Sequence, residues 1–124
     1  MFLRQSTSKT ILTPKLFDDT DFKSVETVAF GAAGIAVQVI QADGTVVTVT
    51  PAEAAGDWYW AHLSNGTHLF TLKATDVAQL GPLRVQGSAT GVLHWWRDFY
   101  VVSQQVYDSM FRMTETLDLL DANA

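Results

Sequence analysis

The chain of 124 residues contains no cysteine, which excludes both a disulfide framework and a thiolate zinc site and leaves packing alone to hold the fold. Charge is also sparse, at 17% of residues with a formal net charge of −5. The eight lysines and arginines are scattered singly from Arg4 to Arg112, so no basic stripe is available to phosphates, and nucleic acid is not an expected partner. No stretch approaches the roughly 18 apolar residues of a membrane span, so no membrane partner is expected either. The opening MFLRQSTSKT lacks the apolar run of a signal peptide, which places synthesis and assembly in the cytoplasm of the producing cell. There is no internal repeat, low-complexity tract or linker rich in Gly, Ser or Pro, and the length suits one domain with a tail.

What remains is a chain that is 48% hydrophobic and punctuated by turn residues. Thr10 to Phe17 alternates loosely around Pro14 and predicts an edge strand, because proline cannot donate to a central ladder. Ala33 to Gln41 and Thr45 to Thr50 flank Ala42-Asp43-Gly44, whose Asp-Gly step signals a hairpin. Ile35, Val37 and Val39 share one face of the first arm, and Val47 and Val49 share one face of the second. A second hairpin is expected from Gly56 to Leu63 and Thr67 to Lys73 around Ser64-Asn65-Gly66, with His68, Phe70 and Leu72 sharing a face. Thr75-Asp76 can cap a short turn, after which Gly81-Pro82 leads into Leu83 to Gly87. Ser88 to Thr90 then turns the chain into a long aromatic strand, Gly91 to Val102. About seven evenly spaced strands predict a mainly β protein: an antiparallel β-sandwich of immunoglobulin-like size over residues 1–103. A C-terminal α-helix and tail occupy 104–124, where Val106, Met110, Met113, Leu117 and Leu120 repeat at heptad spacing. That seam must lie back on the sheet or pair with copies of itself, so 104–124 is expected to dock or oligomerise, with a trimer favoured.

The candidate chemistry is thin. Asp18, Asp19 and Asp21, with Glu26 nearby, form the densest carboxylate cluster, and hard cations take several oxygens from one loop. The run lacks the glycine and spacing of a calcium loop, and Phe22 interrupts it, so a solvated turn is the expected reading and no metal or cofactor is assigned. His62, His68 and His94 all fall in predicted strands without ligand spacing, and no serine has a nucleophile context. Trp58, Trp60, Trp95, Trp96 and Tyr100 are a possible contact surface, since flat aromatic faces suit sugars as well as protein interfaces. Trp58 and Trp60 should share one face, whereas Trp95 and Trp96 must diverge, as must Arg97 and Asp98, which are left to meet neighbouring strands or solvent.

Three stretches, TDVAQLGPLRV (Thr75 to Val85), GVLHWWRDFYVV (Gly91 to Val102) and VYDSM (Val106 to Met110), resemble a small structural domain found in tailed bacteriophages and prophages. In that family T-D-x-x-x-L-G-x-L-R-V precedes G-x-L-x-x-W-x-D-F-x-V and closes on V-Y-D-S. The opening Phe2-Leu3-Arg4 with Ser6-Thr7, and the Phe17 to Asp21 turn followed by Glu26-Thr27, are similar to the family's start. The chain departs from it in lacking a glycine after the Asp of the early turn, and in stopping soon after the helix where longer relatives continue into a shaft. The resemblance implies a non-enzymatic virion structural protein with no catalytic residues to carry over. A capsid decoration (cement) or neck and tail-attachment subunit is expected, in contact with itself and with major capsid, neck or tail proteins. The alternative is a tail-fibre or carbohydrate-binding module for host recognition.

Overall fold

The computed structural model describes residues 1–112, which form two β-sheets packed face to face as a β-sandwich. The strands are β1 (Phe2–Arg4), β2 (Lys9–Leu12), β3 (Ala36–Ile40), β4 (Val46–Val49), β5 (Trp60–Ser64), β6 (Thr67–Leu72), β7 (Gly81–Ala89) and β8 (Val92–Val102). One sheet has five strands in the order β1-β8-β7-β3-β4, the other three in the order β2-β6-β5. A short 3-10 turn, Ala74–Val77, carries the chain from β6 to β7, and α1 (Gln104–Tyr107) follows β8.

Both expected hairpins form. In the first, Val37 faces Val49 and Val39 faces Val47, and the Gly44 amide bonds to the Gln41 carbonyl at 3.0 Å to close the turn. Gly44 takes φ +90, the left-handed region that the Asp-Gly step foretells. In the second, Asn65 and Gly66 both hold positive φ, as a tight twisted hairpin requires. The period of two in β6 is obeyed: His68, Phe70 and Leu72 are buried, and the residues between them are only partly covered. Val37, Val39, Val49, Leu83, Val85, Phe99 and Val101 come in from the five-stranded sheet, and Ile11, Trp60, Phe70 and Leu72 from the other, to make one core. Thr10–Phe17 is shorter as a strand than expected, Lys9–Leu12, but it is the edge that Pro14 required.

Three departures have physical causes. β1 lies parallel to β8, with Leu3 opposite Val101, so the larger sheet is antiparallel except at one margin. Three residues are too few to show a period, and the pairing is made only when β8 brings its free edge alongside. β7 continues through Ala89, and the reversal into β8 is made at Thr90 and Gly91, the glycine at φ +80. β5 begins at Trp60 and not at Gly56, because Trp58 adopts φ +61 and breaks the extended run.

The helix region is regular for one turn only. The Ser103 hydroxyl caps it by accepting from the Val106 amide at 3.2 Å, and from Asp108–Arg112 the winding widens to a π-helix. Arg4 clamps it to β1 through Asp108, at 3.0 and 3.3 Å. Of the heptad seam, Val106 and Met110 are exposed, while Met113, Leu117 and Leu120 lie outside the described residues.

Candidate functional site

Side chains of alternate residues leave the five-stranded sheet on its outer face, where no second layer of the described residues covers them. On β8 these are Trp96, Asp98 and Tyr100; Arg84 and Gln86 follow on β7, and Gln38 on β3. Trp96 and Tyr100 are 57% and 51% exposed, an unusual state for side chains of this size on a sheet. Tyr100 is the first member of an aromatic arc. Its ring centre lies 6.2 Å from that of Phe2, Phe2 lies 6.2 Å from Phe111, and Phe111 lies 4.7 Å from Tyr107. The parallel pairing sets Phe2 opposite Tyr100, and the Arg4–Asp108 clamp holds Phe111 against Phe2. Three separate segments of chain therefore build one surface.

Between Trp96 and Tyr100 sits a forked ion pair: Arg84 Nε and Nη2 donate to the two carboxylate oxygens of Asp98 at 2.8 and 3.0 Å. The hydrogen bonds from Arg84 hold the Asp98 carboxyl below its ordinary range. The guanidinium also lies 5.7 Å from the Trp96 ring centre. Toward β4 the surface turns neutral, with Gln86 donating to Gln38 at 2.8 Å and Gln38 to the Thr48 hydroxyl at 3.5 Å. Aromatic side chains beside a pre-oriented arginine are the chemistry enriched at protein interface centres.

The other aromatic candidates do different work. Trp60 and Trp95 are 3% and 6% exposed, their ring centres 6.1 Å apart inside the sandwich, so neither belongs to a contact surface. The alternation that sends Trp96 out sends Trp95 in. Trp58 lies outside β5 at φ +61, partly buried against the core that holds Trp60, and Asp76 accepts its Nε1–H at 2.9 Å. With Trp60 inside the core, the two indoles form no open platform for a sugar. Arg97 and Asp98 diverge as expected, Asp98 to Arg84 and Arg97 to the Leu12 carbonyl at 2.9 Å. Phe2 and Phe111 had no signal in the sequence, because one stands in a three-residue strand and the other off the heptad seam.

The acidic turn uses its carboxylates internally. Asp18 accepts from the Thr20 and Asp21 amides at 2.6 and 3.2 Å, and Asp21 from the Lys23 and Ser24 amides, each at 2.9 Å. The Ser24 hydroxyl also donates to Asp21 and is the main cause of its lowered pKa, the amides adding to it; the amides lower that of Asp18, while hydrogen bonding with the Asp18 carboxylate raises that of Glu26. Among the described residues no three His, Asp or Glu side chains assemble into a group that could hold a metal.

Of the histidines, His62 and His94 are exposed and His68 is buried. His68 stacks on Trp60 at 4.9 Å, its Nε2 accepting from the Val28 amide at 2.9 Å and its Nδ1 lying 2.9 Å from the Gly66 carbonyl. An acceptor nitrogen carries no proton, so this network assigns the neutral ring with its hydrogen on Nδ1. Burial lowers its pKa, assisted by repulsion from His62. Below the free-histidine value of about 6.5 the unfolded chain binds a proton that the folded chain refuses, so stability falls with acidification. Melting temperature is expected to hold near neutrality and above, then fall as pH drops below about 6.5. The depressed Asp18, Asp21 and Asp98 act only at lower pH, below about 4. His68→Gln, which keeps an acceptor for Val28, should flatten the upper limb, and an unchanged profile in that variant would refute the assignment.

No family model matches the sequence, and no curated protein matches it. Among solved structures, the chain is similar to one in the crystal structure of Dpr11 IG1 bound to DIP-gamma IG+IG2. Identity is 15%, over 82% of this chain and 95% of that one, with a TM-score of 0.39.

Proposed function

We propose that this protein is a non-enzymatic structural subunit of a tailed-phage particle, of the capsid-decoration or neck and tail-attachment kind, that docks on another virion protein through the outer face of its larger sheet. The sequence resemblance supports the setting. The exposed arc of Trp96, Tyr100, Phe2 and Phe111 around the Arg84–Asp98 fork carries the reading of a docking face. A rigid sheet presenting aromatics with two side-chain torsions each orders little on binding, which favours a persistent contact. Of the C-terminal seam only Val106 and Met110 lie within the described residues, and the docking face does not depend on it.

The test is co-migration with purified particles on a density gradient. The wild-type chain should travel with the particles, and the Trp96→Ala, Tyr100→Ala double variant should remain with soluble protein. Each interface aromatic truncated should cost about tenfold or more in affinity. Both side chains point to solvent, so the double variant should keep the wild-type melting temperature. Wild-type protein absent from particles would end the virion assignment; a double variant that still travels with them would end the role of the arc.

A further inference from the structure

A sheet edge is a row of unpaired amides and carbonyls, and folded proteins protect such rows with charge, proline, bulges or covering segments. Two sheets give this protein four edges, and three of them are protected. β1 carries Arg4 and is flanked by α1, whose Gln104 side chain donates to the Gln5 carbonyl at 3.2 Å. On β2 the bonded pairs with β6 run through Thr13 and His68, so the Leu12 carbonyl faces outward. Arg97 reaches across from the opposite sheet to cap it at 2.9 Å, and Lys9 adds a charge. On β5 the outward Trp60 amide is taken by the Ala52 carbonyl at 3.0 Å, and Thr27 stands 3.5 Å from the His62 ring.

Among the described residues, β4 has none of these. The Gln41 amide bonds the Thr45 carbonyl at 2.9 Å, so the bonded pairs of this ladder are Gln41–Thr45, Val39–Val47 and Val37–Val49. The amides and carbonyls of Val46 and Thr48 therefore aim at the free edge, where no described residue bonds them. The segment Thr45 to Thr50 (TVVTVT) is β-branched throughout and has neither charge nor proline, and β4 pairs with β3 without a bulge.

We propose that β4 is a strand-addition edge that pairs antiparallel with β4 of a second copy of this chain, joining two five-stranded sheets across a two-fold axis. A segment that needs an uncharged, β-branched partner strand finds one in itself, and a two-fold contact uses the same patch on both sides. Charge selects the register. With Val46 opposite Thr48 of the second copy, four backbone bonds close, and the half-buried Val47 meets Val47 of the second copy on the core side. Asp43 and Glu53 then stay out of register. Centring instead on Thr48 sets Asp43 of one copy against Glu53 of the other, a like-charge pair in a chain already at −5. The contact lies at the opposite margin of the sheet from the aromatic arc. A paired assembly therefore presents two arcs, with the ten strands spanning roughly 45 Å at the usual inter-strand spacing. The contact is made of backbone and does not depend on the arc or on the docking proposed above.

Solution mass by light scattering on the full chain tests this, compared with Thr48→Pro and Val46→Lys. Proline at 48 removes an amide that faces only the free edge, and lysine at 46 puts like charges across the dyad from an exposed position. The wild type should weigh twice the chain mass at high micromolar concentration, and each variant should fall to the chain mass with its far-ultraviolet dichroism unchanged. If Thr48→Pro misfolds, Val46→Lys alone decides. A wild-type monomer, a trimer, or an oligomer that persists in Val46→Lys and is lost only on removing residues 104–124 would each overturn the edge contact.

Discussion

Gly87→Ala is expected to lower the melting temperature by about 10 °C, through an overpacking cost of about 2–3 kcal/mol. Gly87 lies opposite Trp95 in the β7–β8 ladder, with the indole against its missing side chain. A methyl group there would stand 2.5 Å from Cε2 and Cζ2 of the ring and 2.6 Å from Nε1, closer than atoms approach. The ring cannot yield easily, since it is buried beside Trp60 and shares a wall of core with Leu16, Val28 and Val92. Relief should come from shrinking the ring: Trp95→Phe in the Gly87→Ala background should cost less than the two single changes summed, as coupled neighbours do. Thermal melts of the four proteins decide this. A Gly87→Ala protein melting within about one degree of wild type would show that the sandwich opens there without strain.

Trp60→Ala should cost about 3–5 kcal/mol, the range for deleting a buried aromatic. Trp60 stands at the start of β5 with its ring buried inside the sandwich, stacked on His68 and beside Phe70 and Trp95. Its Nε1–H donates to the Val28 carbonyl at 2.8 Å, and His68 accepts from the amide of the same residue. Val28 belongs to the long connection between β2 and β3, which contains no strand of its own. Two ring nitrogens therefore pin an otherwise irregular segment to the hairpin. Trp60→Phe separates the parts: it retains most of the apolar burial and leaves the Val28 carbonyl unpaired, for a cost of about 1–3 kcal/mol. Urea midpoints at constant slope give both numbers. Equal costs for Ala and Phe would mean that the hydrogen bond and not the packing holds the site.

Both effects arise where the sequence was only half legible. Alternation in GVLHWWRDFYVV requires Trp95 and Trp96 to diverge, and they do, but the pattern does not say which of them the core takes. The answer depends on Gly87, a residue on another strand whose missing side chain makes room for one indole. Trp58 misled because its neighbours read as strand; its positive φ places it outside β5, and its ring packs on the core and bonds Asp76. The docking arc was half visible, as Trp96 and Tyr100. Phe2 entered through a parallel pairing between the two ends of the described chain, and no local signal reports such a pairing.

Local chemistry in the sequence was enough to determine the mainly β class, both tight hairpins, the edge position ahead of Pro14, and which residues of β3, β4 and β6 share a face. Period-two patterning and left-handed turn residues act between near neighbours and need no knowledge of the rest of the fold. Tertiary structure decided which strands became neighbours: β1 with β8, β3 with β7, and a fully uncharged β4 left at the margin. That choice settles which aromatics are core and which face outward, because burial on a sheet depends on what the other layer and the adjoining strands leave uncovered, a property of contacts distant in sequence.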